Sequence, residues 1–195
     1  MYQHTKIPGI IFCVVIIAYS QIAYSDENAW EILKRGGHVA LMRHATAEKA
    51  GDPLAFTIND CSVQRNLSQK GRRQAELVGR AFRAWSIPIA KVLSSRYCRT
   101  QETAKLAFSR VTTWQPLDLL YAIPEQDRDA RTEAVAKRIG AYSGNGNLIM
   151  ITHRPNIDAL TFEMIEPGGL LVLEPDDEGS FNIVEHLSPD DLEVK

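Results

Sequence analysis

The 195-residue sequence predicts an α/β fold, with a mostly parallel sheet covered by helices on both faces. Three observations carry that expectation. The apolar runs at residues 39–42 and 148–151 are uninterrupted, as in strands buried on both faces, and residues 90–93 read as a further short strand. Between them stand stretches whose apolar residues recur at helical spacing. Gly, Pro, Asn and Ser gather at the junctions. With 45% hydrophobic and 24% charged residues, the chain has the composition of one ordinary globular domain with a full core. A formal net charge of −2 gives no bulk electrostatic reason to expect a nucleic-acid partner.

Residues 1–25 differ from the rest. Lys6 lies near the start, residues 10–18 are apolar and uncharged, and small residues follow at Ala23 and Ser25. This pattern is expected of a secretory signal peptide cut after Ser25, with Ser20 as the second choice. The apolar run falls short of the ~20 residues that comfortably span a bilayer. An uncleaved anchor is the alternative. The domain organisation expected is a signal at 1–25 and one domain at 26–195, periplasmic or secreted, with no stable membrane insertion after cleavage. Cys13 leaves with the signal. Cys61 and Cys98 remain as an even pair in an oxidising compartment, so a disulfide between them is expected, two buried thiols being the alternative.

Along the mature chain, residues 26–35 read as a helix with Ala29, Trp30 and Leu33 at helical spacing, stopped by Gly36 and Gly37. Residues 38–42 read as a buried strand. Residues 45–66 show no sustained period and form a long loop, a feature that in compact domains usually has a functional role. Ser68 can cap the next helix, whose apolar face runs through Ala75, Val78, Ala81, Phe82 and Trp85. A strand at 90–93 leads through Ser94 and Ser95 into a helix reaching Phe108. Residues 114–117 are expected to be a short strand, 131–142 a helix, 148–152 a strand and 156–165 a helix. Residues 170–173 and 181–184 are expected to be a final pair, antiparallel across the acidic turn at 176–179.

Ligands of open α/β sheets bind outside the carboxyl ends of the strands. Arg43 and His44 end one strand, His153 ends another, and Arg99 lies one helical turn beyond the end of a third. If the strands are neighbours, two histidines and two arginines converge. Guanidinium forks suit the tetrahedral oxygens of a phosphoryl group. Nearby arginines disfavour an imidazolium, which leaves a neutral, nucleophilic ring that can form a phosphohistidine. Spacing leaves open which histidine attacks.

Four segments resemble a known family in order. Arg43-His44-Ala45 resembles the Arg-His-Gly signature of the histidine phosphatase superfamily, with its phosphoglycerate mutase-like fold. The stretch 67–75, Leu-Ser-Gln-Lys-Gly-Arg-Arg-Gln-Ala, is similar to its second block. Residues 92–104 are similar to its third, with Arg96 where a proline is common, and Thr152-His153 resembles the last. The resemblance spans about residues 37 to 185. It implies a three-layer α/β/α sandwich, His44 as nucleophile, and Arg43, Arg99 and His153 as phosphate-holding groups. It also implies a metal-independent reaction with no cofactor and a phosphorylated small molecule, a phosphosugar among the candidates, as substrate. The family's usual acid context, Trp-Glu-Gly, is absent. Glu125 is the best-placed candidate general acid, then Asp127 and Asp118, each otherwise a solvated loop carboxylate.

Arg154 is expected either to contact substrate or to make a surface salt bridge. His38 reads as a packed core histidine, His186 as exposed, Arg72 and Arg73 as a solvated face, and Ser94 and Ser95 as turn or capping residues. Thr46 is a further guess for a phosphate contact. A metal centre is the rival chemistry, but His-x-x-x-His and paired-cysteine spacings are missing, and two arginines would repel a cation. The expected activity is an exported phosphomonoester hydrolase. The alternatives are a non-catalytic phosphate- or sugar-phosphate-binding protein on the same fold, and a phosphoglycerate mutase-type phosphotransferase.

Overall fold

A computed structural model describes residues 28–49, 51–52, 57–58, 60–121 and 123–192, so the expected signal peptide lies outside the described residues. Helix α1 (Ala29–Arg35) starts under Asn28, whose side-chain oxygen accepts the N–H groups of Trp30 and Glu31. It is followed by β1 (Val39–Arg43), α2 (Gln69–Ala84), β2 (Ile89–Ser94), α3 (Cys98–Phe108) and β3 (Thr112–Thr113). The chain then forms α4 (Glu125–Gly140), β4 (Asn147–Thr152), α5 (Arg154–Thr161), β5 (Leu170–Pro175) and β6 (Phe181–Leu187).

The strands make one sheet in the order β3-β2-β4-β1-β5-β6. The first four are mutually parallel, β5 runs antiparallel to β1, and β6 antiparallel to β5, so the expected mostly parallel sheet with an antiparallel final pair is what forms. Successive side chains of a strand point to opposite faces, and here each face has its own core. Ala40, Met42, Ile149 and Ile151 pack with Trp30, Leu33, Val78 and Phe82 beneath α1, α2 and α3. Val39, Leu41, Leu148 and Met150 pack with Leu117, Val135, Ile139 and Ile157 beneath α4 and α5. That is the three-layer sandwich, and it explains why β1 and β4 are apolar on both faces over residues 39–42 and 148–151.

Two glycines let helices come close. A Cβ on Gly71 would stand 1.9 Å from the carbonyl oxygen of Thr46, so the first turn of α2 lies directly on the chain leaving β1. A Cβ on Gly79 would stand 2.2 Å from the carbonyl oxygen of Ala107, at the contact of α2 with α3. Ser68 caps α2 as expected, accepting the Gly71 N–H at 3.1 Å.

Three element boundaries differ from expectation. Residues 114–117 are not a strand; the edge strand is Thr112–Thr113 and Gln115–Leu117 is a 3-10 turn. Pro116 has no N–H for a sheet ladder but is at home in the first turn of a helix. Helix α4 begins at Glu125 rather than 131, because Pro124 sets its start while its first turns are exposed and carry no apolar period. Helix α5 runs from Arg154 to Thr161 rather than over 156–165: Pro155 stands in its first turn, where no N–H is needed, and Phe162 turns left-handed with φ +59°.

Candidate active site

Strands β2, β4 and β1 are neighbours and their carboxyl ends are level. Arg43 is paired with Thr152 and Ser94 with Ile151. The next residues stay tied across the gap, since the His44 N–H donates to the Thr152 carbonyl and the Ser95 N–H to the Ile151 carbonyl, each at 3.0 Å. This brings Arg43, His44, Ser95 and His153 to one edge, with Arg99 reaching in from the first turn of α3. The rings of His44 and His153 lie edge to face, their centroids 5.4 Å apart.

Hydrogen bonds assign the tautomer of His44. Its Nδ1 is 2.7 Å from the carbonyl oxygen of Ala45, which can only accept, so Nδ1 carries the proton. Nε2 is then bare, and the Arg99 Nε–H donates toward it at 3.3 Å. Burial, followed by the charge of Arg99, lowers the pKa of His44 to about 3. The ring is therefore neutral at physiological pH, with its lone pair turned toward a guanidinium. His153 is held well below the ordinary histidine value by burial, then by Arg99 and by His44.

Arg99 is only 2% exposed. Its Nη1 donates to Asp52 Oδ1 at 3.0 Å and to the Arg65 carbonyl at 3.4 Å, its Nη2 to His153 Nδ1 at 3.3 Å, and its plane sits 4.7 Å from the centre of the Tyr97 ring. Arg43 donates from Nη1 to the Ile165 carbonyl at 2.9 Å, while its Nε–H is buried with no hydrogen-bond partner. Burial lowers the Arg43 pKa, as do the nearby charges of Arg154 and Arg65. Arginine stays cationic throughout. The charges of three guanidiniums, Arg43, Arg65 and Arg99, thus act on two neutral imidazoles, a setting that favours a dianionic oxyanion.

Arg65, Asp52 and Tyr97 were not singled out as site residues by sequence, and Asp118 was named only as a candidate acid, not as a partner of Ser95. Arg65 is tied down by donating from Nε to the Glu48 carbonyl at 2.6 Å, and its backbone N–H donates to Asp52 at 3.0 Å. The disulfide between Cys61 and Cys98 is formed, with Cα atoms 5.7 Å apart. It joins this loop to the residue preceding Arg99, and the neighbouring Gln64 Oε1 accepts the Cys98 N–H at 3.0 Å. The only sequence signal for Arg65 was its place in a long loop beside one of the paired cysteines.

Other expected residues are placed as follows. Asp118 is not a solvated loop carboxylate; it is 3% exposed and fully engaged by Arg96 and Ser95. Glu125 and Asp127 are exposed in the first turn of α4. Glu125 lines a groove of about 900 Å³ with Leu120, Tyr121, Arg128, Pro155 and Phe162. Among the described residues that lining includes none of Arg43, His44, Arg99 or His153, although Pro155 is two residues from His153. Arg154 is exposed at the start of α5, close enough for its charge to act on Arg43. Thr46 is bonded to Gln74 at 3.1 Å. Ser94 donates to the Ser95 carbonyl, a turn role, and His38 is a buried core residue bonded to the Gly36 carbonyl.

The model of the histidine phosphatase superfamily (branch 1) matches residues 39–126, the segment that carries Arg43, His44 and Arg99. Over that segment the chain is similar to this superfamily. Over 91 residues it is 29% identical to the serine/threonine-protein phosphatase Pgam5, mitochondrial, of Drosophila grimshawi; that stretch is 47% of this chain and 29% of that protein. The chain thus spans less than a third of the curated relative it matches. The same fold occurs in the protein histidine phosphatase SixA complexed with tungstate, with a TM-score of 0.57 and 18% identity, covering 80% of this chain and 99% of that one. It recurs again in a phosphoserine phosphatase of Entamoeba histolytica in complex with phosphoserine, with a TM-score of 0.59 and 12% identity, covering 80% and 98%.

Proposed function

We propose that the protein is an exported, metal-independent histidine phosphatase that hydrolyses phosphomonoesters through a phosphohistidine on His44. The tautomer of His44 carries this reading: Nδ1–H is tied to the Ala45 carbonyl, and the bare Nε2 faces the Arg99 guanidinium. The phosphoryl group enters with its oxygens on Arg43, Arg65 and Arg99. Nε2 attacks phosphorus, the N–P bond forms and the ester P–O bond breaks. The leaving oxygen takes a proton, for which Glu125 on the wall of the groove beside Pro155 is the candidate donor. Water then attacks phosphorus and releases inorganic phosphate from His44. The charges of Arg43, Arg65 and Arg99 would repel a divalent cation beside His44, which supports a reaction without metal. The tungstate and phosphoserine bound by the two structural relatives support an oxyanion site and a phosphomonoester substrate.

The deciding assay is hydrolysis of p-nitrophenyl phosphate by the protein from Asp26 onward, in EDTA, beside His44→Ala. Activity that survives EDTA and is lost in the variant supports the mechanism; activity abolished by EDTA overturns it. No turnover of p-nitrophenyl phosphate, phosphoserine, a phosphohistidine peptide or a sugar phosphate, with phosphate still bound, would favour the non-catalytic alternative. Product analysis with 3-phosphoglycerate tests the mutase alternative. If Glu125 is the acid, Glu125→Gln slows alkyl phosphates by ~10²-fold or more and spares the activated nitrophenyl ester. Equal effects on both substrates count against it.

A further inference from the structure

Behind His153 runs a buried polar chain that the phosphoryl chemistry above does not use. His153 Nε2 lies 2.9 Å from Ser95 Oγ, which lies 3.2 Å from Asp118 Oδ1. Ser95, His153 and Asp118 are all buried. Asp118 is held in turn by Arg96, whose backbone N–H donates to Oδ1 at 2.7 Å and whose Nε–H donates to Oδ2 at 2.7 Å, with Nη2 at 2.6 Å from the same oxygen. The order of groups is not that of a hydrolase triad: the serine stands between carboxylate and imidazole, and the other imidazole nitrogen faces an arginine.

The direction of each hydrogen bond can be read from both ends. A carboxylate in a two-point ion pair with arginine only accepts, so the Ser95 hydroxyl proton points to Asp118. The hydroxyl has no second proton, so its lone pairs serve its other neighbours, the Tyr97 N–H at 3.2 Å and His153 Nε2. Nε2 must therefore carry a hydrogen. At the far side of the ring, Arg99 Nη2 is 3.3 Å from Nδ1, and a guanidinium can only donate, so Nδ1 must be bare. The two ends agree on one tautomer.

We propose that Asp118 and Ser95 are positioning residues that lock His153 in its Nε2–H tautomer, so that Nδ1 holds the Arg99 guanidinium across His44 Nε2. With the proton on Nδ1 instead, an imidazole N–H would face a guanidinium N–H, and Arg99 would lose one of the contacts that set its plane. The kinetic consequence rests on the proposed phosphatase reaction; the tautomer does not.

Nitrogen-15 NMR of the protein from Asp26 onward, labelled at histidine and assigned with His153→Gln, reads the tautomer directly at neutral pH. The expected spectrum has a protonated Nε2 and a bare Nδ1 on His153. A protonated Nδ1 in the unsubstituted protein overturns the proposal whatever its activity. Ser95→Ala is expected to give a mixture of tautomers, to weaken tungstate binding severalfold and to lower kcat by about tenfold, the scale of one lost hydrogen bond to a charged group. Ser95→Thr, which keeps the hydroxyl, restores the tautomer. An unchanged tautomer in folded Ser95→Ala, shown by an unchanged melting temperature, also overturns it. Should Ser95→Ala not fold, Asp118→Ala, which removes the acceptor that orients the Ser95 hydroxyl and leaves the partly exposed Arg96 to solvent, replaces it under the same criteria.

Discussion

His44 stays neutral in a range where an ordinary histidine becomes charged, and this has a measurable cost in acid. Its pKa in the folded protein is about 3, against an ordinary 6.5, mainly because it is buried and next because of Arg99. Between these values the unfolded chain binds a proton that the folded one refuses. The stability contribution is whole above pH ~6.5 and is lost as pH falls toward 3, with a limiting slope of about 1.4 kcal/mol per pH unit. Urea unfolding of the wild type and of His44→Asn across that range checks this: the difference between them should narrow or reverse as pH falls, and parallel curves would contradict it. Arg65 carries a second prediction at this scale. Arg65→Ala should weaken tungstate inhibition about tenfold with little change in melting temperature, because its charge acts on His44, Arg43 and Arg99 together. Arg43, His44, Arg99 and His153 were legible in the sequence because each stands at or just after the end of an apolar strand. Arg65 and Asp52 were not, since only folded loops bring them to the cluster and a lone charge in a polar loop looks like solvated surface; Asp118 was legible only as a third choice of acid, not as the partner of Ser95.

At the scale of elements, the segment from β1 to α2 is fastened three times: by Gly71 against Thr46, by the Arg65 and Asp52 contacts, and by the Cys61–Cys98 bridge. Opening the bridge with reductant should lower stability by about 2–4 kcal/mol and weaken phosphate binding, because the segment carrying Asp52 and Arg65 is then tied to α3 by polar contacts alone. Calorimetric titration with phosphate after verified reduction checks this; unchanged affinity removes the role. Gly71→Ala should destabilise by about 1–3 kcal/mol, read by denaturant unfolding, since the added carbon meets backbone and not a movable side chain. The strands and capped helices were readable because burial on both faces and Ser68 leave local marks. The start of α4 was not, because its exposed first turns have no apolar period, and β3 was displaced because the rigid ring of Pro116 stands where the sheet was expected.

Over the whole molecule, the α/β class and the convergence of strand ends followed from the order of apolar runs, whereas the neighbouring of β2, β4 and β1 is a fact of topology that no single segment encodes. Among the described residues no helix is long and apolar enough to cross a membrane. We expect export to leave Asp26 as the first residue of the mature chain, as N-terminal sequencing of the secreted protein checks; an N-terminus still at Met1 would sink the signal assignment. The sheet also dictates when the site can exist. Strand β1 sits in its middle, yet its two partners, β4 and β5, lie more than a hundred residues further along the chain. As the polypeptide leaves the ribosome, the strand that leads into His44 emerges more than a hundred residues before either of its partners can pair with it. Nascent chains halted before Asn147 should therefore expose a bare hydrophobic ribbon, draw chaperones, and show no trace of phosphate affinity, with the whole binding cluster appearing in a single late step.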